Sequence, residues 1–333
     1  MKTLLVSAVL FAGVVLAAAS AQNPGAGPVT RLDRRVDAIV PAGAALDVLI
    51  EDYFGSMEGP IWRPDSPSGY LLFSDQAANR IYKWDGKLSV FLEPAGYTGD
   101  PAKWTDVAQA LYNQRLHIGL IGTNGLAVDR EGRVIMCARG DRALVRLEKN
   151  GMRTTLASSH NGKLFNPPND LAVKSDGSVY FTTAGSRRGI SAPPEISEAA
   201  PNGVYRWKDG RVDLLFIAGQ RGISVNGLAF SPDEKYLYVA SGKVSRFTVQ
   251  PDGTLTDGKT FADGESDGMK VDSQGNLFYH GHGGLWIVAP DGTHLGTVAA
   301  PLFRNLAFGD ADRKTLYIGI QRGLARLRLS VAG

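Results

Sequence analysis

The sequence predicts an all-β fold, a six-bladed β-propeller with four antiparallel strands in each blade. Three observations predict it: one short pattern recurs six times, most copies continue into two further short strands, and most copies lie about one blade apart. Helical periodicity is nearly absent, and residues 105–112 are the one stretch where we expect a helix. A β-sandwich is the alternative architecture, but six copies in register argue against it.

Each copy of the pattern starts with a polar anchor residue, followed by an apolar strand, a polar turn with Asp or Gly, and a second apolar strand. The six anchors are Glu58, Asn124, Asn169, Asn226, Asp267 and Asn305. Four copies then add two strands joined by tight turns, as in the segments that begin at Asn202 and Gly283. Two intervals between anchors are too long for one blade, and residues 93–123 and 184–201 are the insertions that lengthen them.

The first 21 residues have the features of a secretory signal peptide. Lys2 precedes an apolar stretch, and Ala19-Ser20-Ala21 forms a small-residue cleavage site. We therefore expect export, to the periplasm or the medium; an uncleaved membrane anchor is the alternative, although the apolar run is short for a spanning helix. Residues 22–48 read as an extended lead-in that could supply a strand to the last blade and close the ring. Residues 49–333 are the expected propeller domain.

Composition limits the partners that we expect. The net charge is +3 at pH 7, and loss of Lys2 with the leader reduces it to +2. Basic and acidic residues are interspersed, so no nucleic acid partner is expected, and no second apolar segment is long enough to cross a membrane. Cys137 is the single cysteine, which excludes an internal disulfide, and its apolar strand predicts a buried, inert thiol. Nothing in the sequence indicates an oligomeric state.

The anchors converge on one mouth of the central channel if the fold is a propeller. In a four-stranded antiparallel blade, the start of the first strand and the end of the second lie on the same face, and both insertions fall on that face too. Any single Asn-Gly has a simpler explanation in turn chemistry. Two carboxylates and several amides together, however, form an oxygen-rich cavity for a hard cation. We expect one divalent ion, Ca²⁺ first, with Mg²⁺, Mn²⁺ or Zn²⁺ as alternatives; the scarcity of His and Cys argues against a typical zinc site.

Four segments resemble the SMP-30/gluconolactonase/luciferin-regenerating family, and the similarity extends over nearly all of the chain beyond about residue 48. They are EGPIW at Glu58, FNPPNDLAVKSDGSVYFT from Phe165, VNGLAFSPDEKYLYV from Val225 and SDGMKVDSQGNLFY from Ser266. The resemblance implies metal ligands at Glu58, Asn226 and Asp267, with Asn169 either a ligand or a substrate contact. It also implies metal-assisted hydrolysis of a lactone, in which the cation polarises the carbonyl and Asp267 accepts a proton from water. A carboxylate held on a cation has a depressed pKa, so the ligand and base roles of Asp267 compete.

Further residues are expected to line the pocket. Asn124, Asn169, Arg139 and His280 are the predicted substrate contacts, and a metal-ligand role for His280 and His282 is the alternative. The chain departs from the family pattern at Arg139-Gly140 and over residues 182–188, so the sugar of the namesake enzymes does not follow from the resemblance. Arg187 and Arg188 either bind an anionic substrate group or form a solvated loop. Tyr97, Trp104 and Tyr112 either form a lid wall or pack locally.

Three functions are consistent with this sequence. The first is a metal-dependent hydrolase that opens a sugar lactone or another small lactone. The second is an arylesterase or organophosphate hydrolase at the same site. The third is a non-catalytic, calcium-containing propeller that binds a ligand. Retention of Glu58, Asn169, Asn226 and Asp267 together favours an enzyme, because a binding module has less need of all four.

Overall fold

A computed structural model of the protein describes residues 29–333, apart from 67, 101–108, 113–114, 119, 185–197, 221–224, 242, 265 and 321. These residues form six antiparallel sheets of four or five strands, which are the blades of a propeller, and two short hairpins. The predicted six-bladed fold is therefore confirmed. Within the described ranges the helical content is one 3₁₀ helix, Arg34–Ala38, and no helix there is long and apolar enough to cross a membrane. The predicted leader lies outside the described residues.

The strands of each blade follow one another from the channel outward. Blade 1 consists of Met57–Arg63, Tyr70–Asp75, Arg80–Trp84 and Leu88–Leu92. Blade 2 consists of Thr123–Val128, Val134–Ala138, Ala143–Leu147 and Arg153–Ala157. Blade 3 consists of Pro168–Val173, Val179–Thr183, Gly203–Lys208 and Arg211–Ile217. Blade 4 consists of Leu228–Phe230, Tyr236–Ser241, Lys243–Val249 and Leu255–Asp263. Blade 5 contains Met269–Val271, Leu277–Gly281, Gly284–Val288 and His294–Ala299. The first three strands of blade 6 are Phe303–Gly309, Thr315–Ile320 and Leu324–Arg328.

The ring closes by joining the two ends of the described chain. The strand Leu46–Ile50 pairs antiparallel with Leu324–Arg328 and is the fourth, outermost strand of blade 6. The hypothesis that an N-terminal strand completes the last blade is confirmed. A second early strand, Val29–Arg31, pairs with His294–Ala299 and gives blade 5 a fifth strand. Both pairings tie sequence-distant segments together, so the edges of blades 5 and 6 depend on residues that precede the first repeat.

The prediction of a helix at residues 105–112 is wrong for residues 109–112, which are the part of it that the structure describes. Gln109–Tyr112 is a strand that pairs with Arg115–Ile118, and the remaining residues of that expectation lie outside the described ranges. Ala, Gln and Leu have favourable helix propensities, but a four-residue segment is too short for a helix to be stable by itself. Pairing with an adjacent strand satisfies its backbone groups instead. The other small hairpin joins Ser159–His160 to Lys163–Leu164.

The core is divided into apolar layers between neighbouring blades. Ile61 of blade 1 and Leu126 of blade 2 lie in one such layer, while Cys137 of blade 2 and Phe165 lie in the next. Each blade therefore buries both faces, which explains why its inner strands are apolar without strict alternation. Cys137 is fully buried and free, as predicted, and burial raises the pKa of its thiol well above the usual value.

Candidate active site

The innermost strands approach each other so closely at one channel mouth that glycine is required after four of the anchors. A Cβ atom added to Gly227 would lie 2.1 Å from the carbonyl oxygen of Asp267, and one added to Gly59 would lie 2.2 Å from that of Asn124. Gly227 is not in the left-handed region, so close approach, and not turn geometry, demands glycine there. The Asn-Gly pairs of the repeat thus reflect inter-blade packing around the channel.

Five of the predicted anchors occupy equivalent positions around this mouth: Glu58, Asn124, Asn169, Asn226 and Asp267. Glu58, Asn124 and Asn169 are buried, Asn226 is partly buried, and the Asp267 side chain is 24% exposed. The Asn226 amide donates a hydrogen bond to the Asp267 carboxylate. The interaction between Glu58 and Asp267 and the hydrogen bond from Asn226 link three of the four residues predicted to hold a metal, and Asn169 has the equivalent position in blade 3. Of the two carboxylates, Asp267 is the more exposed.

The sixth anchor is Arg304, and the assignment of Asn305 is one residue out of register. Leu306 pairs with Ile318 as Leu126 pairs with Met136 in blade 2. Counting back two residues gives Asn124 in blade 2 but Arg304 in blade 6. Asn305 instead corresponds to Asp170 of blade 3, and the Oδ1 atoms of both accept a hydrogen bond from the backbone N–H of the next residue, at 2.9 Å. The pattern Asn-Leu-Ala-Phe lacks the residue between anchor and Leu, which caused the shift.

Four buried oxygen atoms near this mouth have no hydrogen-bond partner: Glu58 Oε2, Asn124 Oδ1, Asn226 Oδ1 and Asp170 Oδ2. Buried acceptors without partners are rare in folded proteins and point to a site that binds an ion or water. Carboxylate and amide oxygens are the ligands that Ca²⁺ and Mg²⁺ prefer. The described residues contain no group of three His, Cys, Asp or Glu side chains placed to hold an ion by themselves. The chemistry of this mixed set of oxygen donors nevertheless fits one hard divalent cation.

The electrostatics of the two carboxylates favour a cation between them. Burial, and then the charge of Asp267, raises the pKa of Glu58 well above its ordinary value. Burial likewise raises the pKa of Asp267, against the opposing effect of the Arg304 guanidinium, whose Nη1 lies 3.5 Å from Asp267 Oδ2. Both shifts arise because negative charge is confined where water cannot solvate it. A divalent cation bound there would stabilise both ionised carboxylates.

Two charged residues of the channel were missed by the sequence analysis. Asp170 is fully buried and its charge acts on both Glu58 and Asp267. Lys270 is partly buried; its Nζ donates to the Met269 carbonyl at 3.1 Å and lies 3.5 Å from Asn305 Oδ1. The repeat carried a signal for each, because Asp170 stands where four other copies have Gly, and Lys270 stands where four copies have Ala.

The structure places two further predicted substrate contacts near the mouth. Arg139 is 6% exposed, its Nε donates to the Leu120 carbonyl at 3.2 Å, and its charge acts on both Glu58 and Asp267. His280 ends the second strand of blade 5 and packs edge-on against Phe303, with ring centroids 5.0 Å apart.

The aromatic and arginine residues predicted in the insertions are only partly within the described structure. Tyr97 packs beside Gly140, since a Cβ atom at that glycine would lie 2.4 Å from the Cβ of Tyr97. The side chains of Trp104, Tyr112, Arg187 and Arg188 lie outside the described residues.

These features define a class: a six-bladed β-propeller whose channel mouth carries an oxygen-rich, charge-dense site. A family profile for the SMP-30/gluconolactonase/LRE-like region matches residues 56–321. The chain therefore belongs to the SMP-30/gluconolactonase/LRE-like family, as the resemblance of its four segments implied.

Individual relatives agree with this family. The chain is 33% identical to the gluconolactonase of Zymomonas mobilis, over 92% of this chain and 87% of that protein. Among solved structures, a gluconolactonase of Xanthomonas campestris is similar with a TM-score of 0.75 and 30% identity, covering 91% of this chain and 95% of its own. The calcium-binding protein regucalcin of Agrobacterium tumefaciens aligns with a TM-score of 0.60 over 86% of this chain and 94% of its own; at 19% identity this likeness shows the fold alone.

Proposed function

We propose that this protein is a metal-dependent lactone hydrolase that opens a sugar lactone or another small lactone. The observation that carries the proposal is the set of unpartnered buried oxygens at the channel mouth, on Glu58, Asn226 and their neighbours. Its support from relatives is that the similar proteins of Zymomonas mobilis and Xanthomonas campestris are gluconolactonases.

Glu58, Asn226 and Asp267 would hold the cation, with Asn169 as a fourth ligand or a substrate contact and Ca²⁺ as the first choice. When bound, such an ion polarises the ester carbonyl and supplies positive charge where negative charge develops. Inner-strand anchors suit this role, because each is fixed by the closely packed strands behind it and little reorganisation accompanies binding.

Asp267 is the carboxylate best placed to accept a proton from the attacking water. Glu58 is 2% exposed, whereas the Asp267 side chain is 24% exposed. Hydrogen bonds from Asn226 and Arg304 stabilise its ionised form, which lowers its basicity but orients it. Arg139, Asn124 and His280 would contact the substrate from the walls of the mouth.

The proposal includes export to the periplasm or the medium, and it is supported by the leader-like composition of residues 1–21. The expected partner is a small molecule with an ester group; a membrane or nucleic acid partner is not part of the proposal. Export also fits the choice of Ca²⁺, because that ion is far more abundant outside the cytosol.

The test is hydrolysis by metal-stripped protein to which Ca²⁺, Mg²⁺, Mn²⁺ and Zn²⁺ are added back one at a time. The substrates are a panel of five- and six-membered lactones, phenyl acetate and a phosphotriester. Asp267→Asn removes one charge at the site, and Asp209→Asn, at an exposed hairpin turn of blade 3, is the matched control.

We expect lactone turnover that a metal restores in the wild type and in Asp209→Asn but not in Asp267→Asn. Preference for phenyl acetate would favour the arylesterase alternative over the lactonase. Preference for the phosphotriester would favour the organophosphate hydrolase. Absence of turnover on every substrate with every metal, in a folded protein that binds the ion, would favour the ligand-binding propeller.

A further inference from the structure

The sixth place of the anchor ring is occupied by a cation. Arg304 stands where the other blades present Glu58, Asn124, Asn169, Asn226 and Asp267, and it lies between the carboxylates of blade 5 and blade 1. Its Nη1 is 3.5 Å from Asp267 Oδ2, and its positive charge acts on both Asp267 and Glu58. An arginine in this position does not add a ligand for a metal, so its presence requires another explanation.

The Arg304 guanidinium is only lightly engaged. Its side chain is 48% exposed, and its guanidinium makes one long hydrogen bond, to Asp267, among the described residues. A guanidinium has five N–H donors in a planar fork that matches carboxylate and phosphate oxygens in pairs. If a cation is bound to Asp267, that carboxylate is already neutralised, and the fork of Arg304 is free to bind an anion that enters the mouth.

The charges around the mouth also indicate that the site binds an anion. Among the residues that the structure describes there, three carboxylates, on Glu58, Asp170 and Asp267, interact with three cationic side chains, on Arg139, Lys270 and Arg304. These charges cancel, so a bound divalent cation leaves the mouth with a surplus of two positive charges. A neutral sugar lactone requires no such surplus, whereas a substrate with its own negative charge is attracted by it and balances it. Arg139 is buried, and the Nζ of the partly buried Lys270 is held on the Met269 carbonyl. Of these three cations in the described part of the mouth, Arg304, with 48% of its side chain exposed, is the one that can reach a substituent beyond the ester.

We propose that the substrate of this site is a lactone bearing an anionic substituent, a carboxylate or a phosphate ester, and that Arg304 binds that substituent. The inference rests on the proposed lactonase function and adds the substrate class to it. Arg304 is a specificity residue here: it holds the charged end of the molecule while the ester lies against the metal ligands. The lactone ring opens by addition of water, so the product is a hydroxy acid with one more negative charge than the substrate.

The test compares two lactones that differ only in charge, D-glucono-1,5-lactone and its 6-phosphate, with the metal-loaded wild type and three variants. Arg304→Gln removes the charge, Arg304→Lys keeps the charge without the fork, and Arg211→Gln is the control at an exposed outer strand of blade 3. The measured quantity is the ratio of kcat/KM for the phosphorylated lactone to that for the neutral one. A carboxylate-bearing lactone, D-glucaro-1,5-lactone, identifies which anionic group is preferred.

We expect the wild type and Arg211→Gln to favour an anionic lactone by at least about tenfold. Loss of a charge-assisted pair, at about 1.5–3 kcal/mol, corresponds to roughly a 10- to 150-fold fall, so Arg304→Gln should abolish the preference, mainly through KM. Arg304→Lys should recover part of it. If the wild type hydrolyses both lactones without preference, or if Arg304→Gln leaves the ratio unchanged, the substrate-class inference is overturned and the lactonase function stands.

A binding measurement separates this inference from the lactonase function. Titration calorimetry with the metal-loaded protein compares gluconate with 6-phosphogluconate, which requires no turnover. Tighter binding of the phosphorylated acid by the wild type, lost in Arg304→Gln, supports the anion site even if no lactone is hydrolysed. Equal affinity for the two acids in the wild type contradicts it. A calcium titration provides a second readout, because removal of a positive charge beside Asp267 should tighten calcium binding about tenfold in Arg304→Gln and leave Arg211→Gln unchanged.

Discussion

Replacement of Glu58 by glutamine should stabilise the metal-free protein and strongly reduce its stabilisation by calcium. Glu58 is completely buried, its Oε2 has no hydrogen-bond partner, and the charge of Asp267 lies nearby. Without a cation, the ionised carboxylate therefore destabilises the folded state. Glutamine has nearly the same shape and no charge, so the change removes the electrostatic cost without creating a cavity.

The sign of this effect follows from the pKa shift, and its size from the general cost of an unpaired buried charge. Glu58 has a folded-state pKa raised well above its ordinary value of 4.5, by burial first and Asp267 second. A raised pKa contributes stability that is fully present below the unfolded-state pKa and is lost as pH rises through the folded-state pKa. An unpaired buried charge costs on the order of 2 kcal/mol or more. With an unfolding entropy of about 2.1 cal/mol/K per residue, roughly 0.6 kcal/mol/K for about 300 residues, the melting temperature should rise by about 3 °C.

The assay is thermal unfolding of wild type, Glu58→Gln and the exposed control Glu51→Gln, in EDTA and in calcium, between pH 4 and pH 8. In EDTA the advantage of Glu58→Gln should be small at pH 4 and largest near pH 8. Calcium at about 100 times its dissociation constant should stabilise wild type and Glu51→Gln by about 2.7 kcal/mol, or roughly 4 °C, and Glu58→Gln by much less. A Glu58→Gln protein that melts below wild type in EDTA, or that responds to calcium as wild type does, would refute the reasoning.

Three further predictions concern the scaffold. Gly227→Ala places a Cβ 2.1 Å from the Asp267 carbonyl oxygen and should cost about 3 kcal/mol in urea unfolding; an unchanged midpoint would show that the inner strands separate freely. A chain that starts at Asp52 lacks the outer strand of blade 6, Leu46–Ile50. Its thermal unfolding, followed by circular dichroism, should no longer be cooperative. A sharp transition near the wild-type temperature would contradict ring closure by this strand. Native protein should not react with Ellman's reagent, because Cys137 is fully buried, and one thiol should react in guanidinium; rapid reaction of the native protein would disprove the burial.

Much of the architecture was predictable because the repeat fixes it. Six copies of an anchor followed by two apolar strands specify six blades, and the topology of a four-stranded blade then puts every anchor at one channel mouth. Glu58, Asn226 and Asp267 could be placed together for this reason, without any contact information. The closing strand was predictable in kind, since an open last blade leaves an edge, but its location at Leu46–Ile50 depends on pairing with residues far along the chain.

The residues that the sequence did not reveal are those whose meaning depends on register. Asn305 matches the anchor pattern by residue type, yet the pairing of Leu306 with Ile318 gives the anchor position to Arg304. Asp170 follows the anchor Asn169 at a strand start, and only the close approach of blades 2 and 3 shows its carboxylate in the channel. The short hairpin at residues 109–118 was missed because its strands carry no alternation and depend on local pairing.

The central claim is that one divalent cation sits at the channel mouth on oxygen atoms of Glu58, Asn226 and Asp267. Its most direct test is an anomalous difference map from crystals grown with Mn²⁺, and a second one with Ca²⁺ recorded at long wavelength. We predict a single peak in this ring, with carboxylate and amide oxygens about 2.1–2.6 Å away, and its loss in crystals of Asp267→Asn. A peak elsewhere in the protein, with only water among these oxygen atoms, would contradict the proposed metal site. So would the absence of any peak at saturating metal.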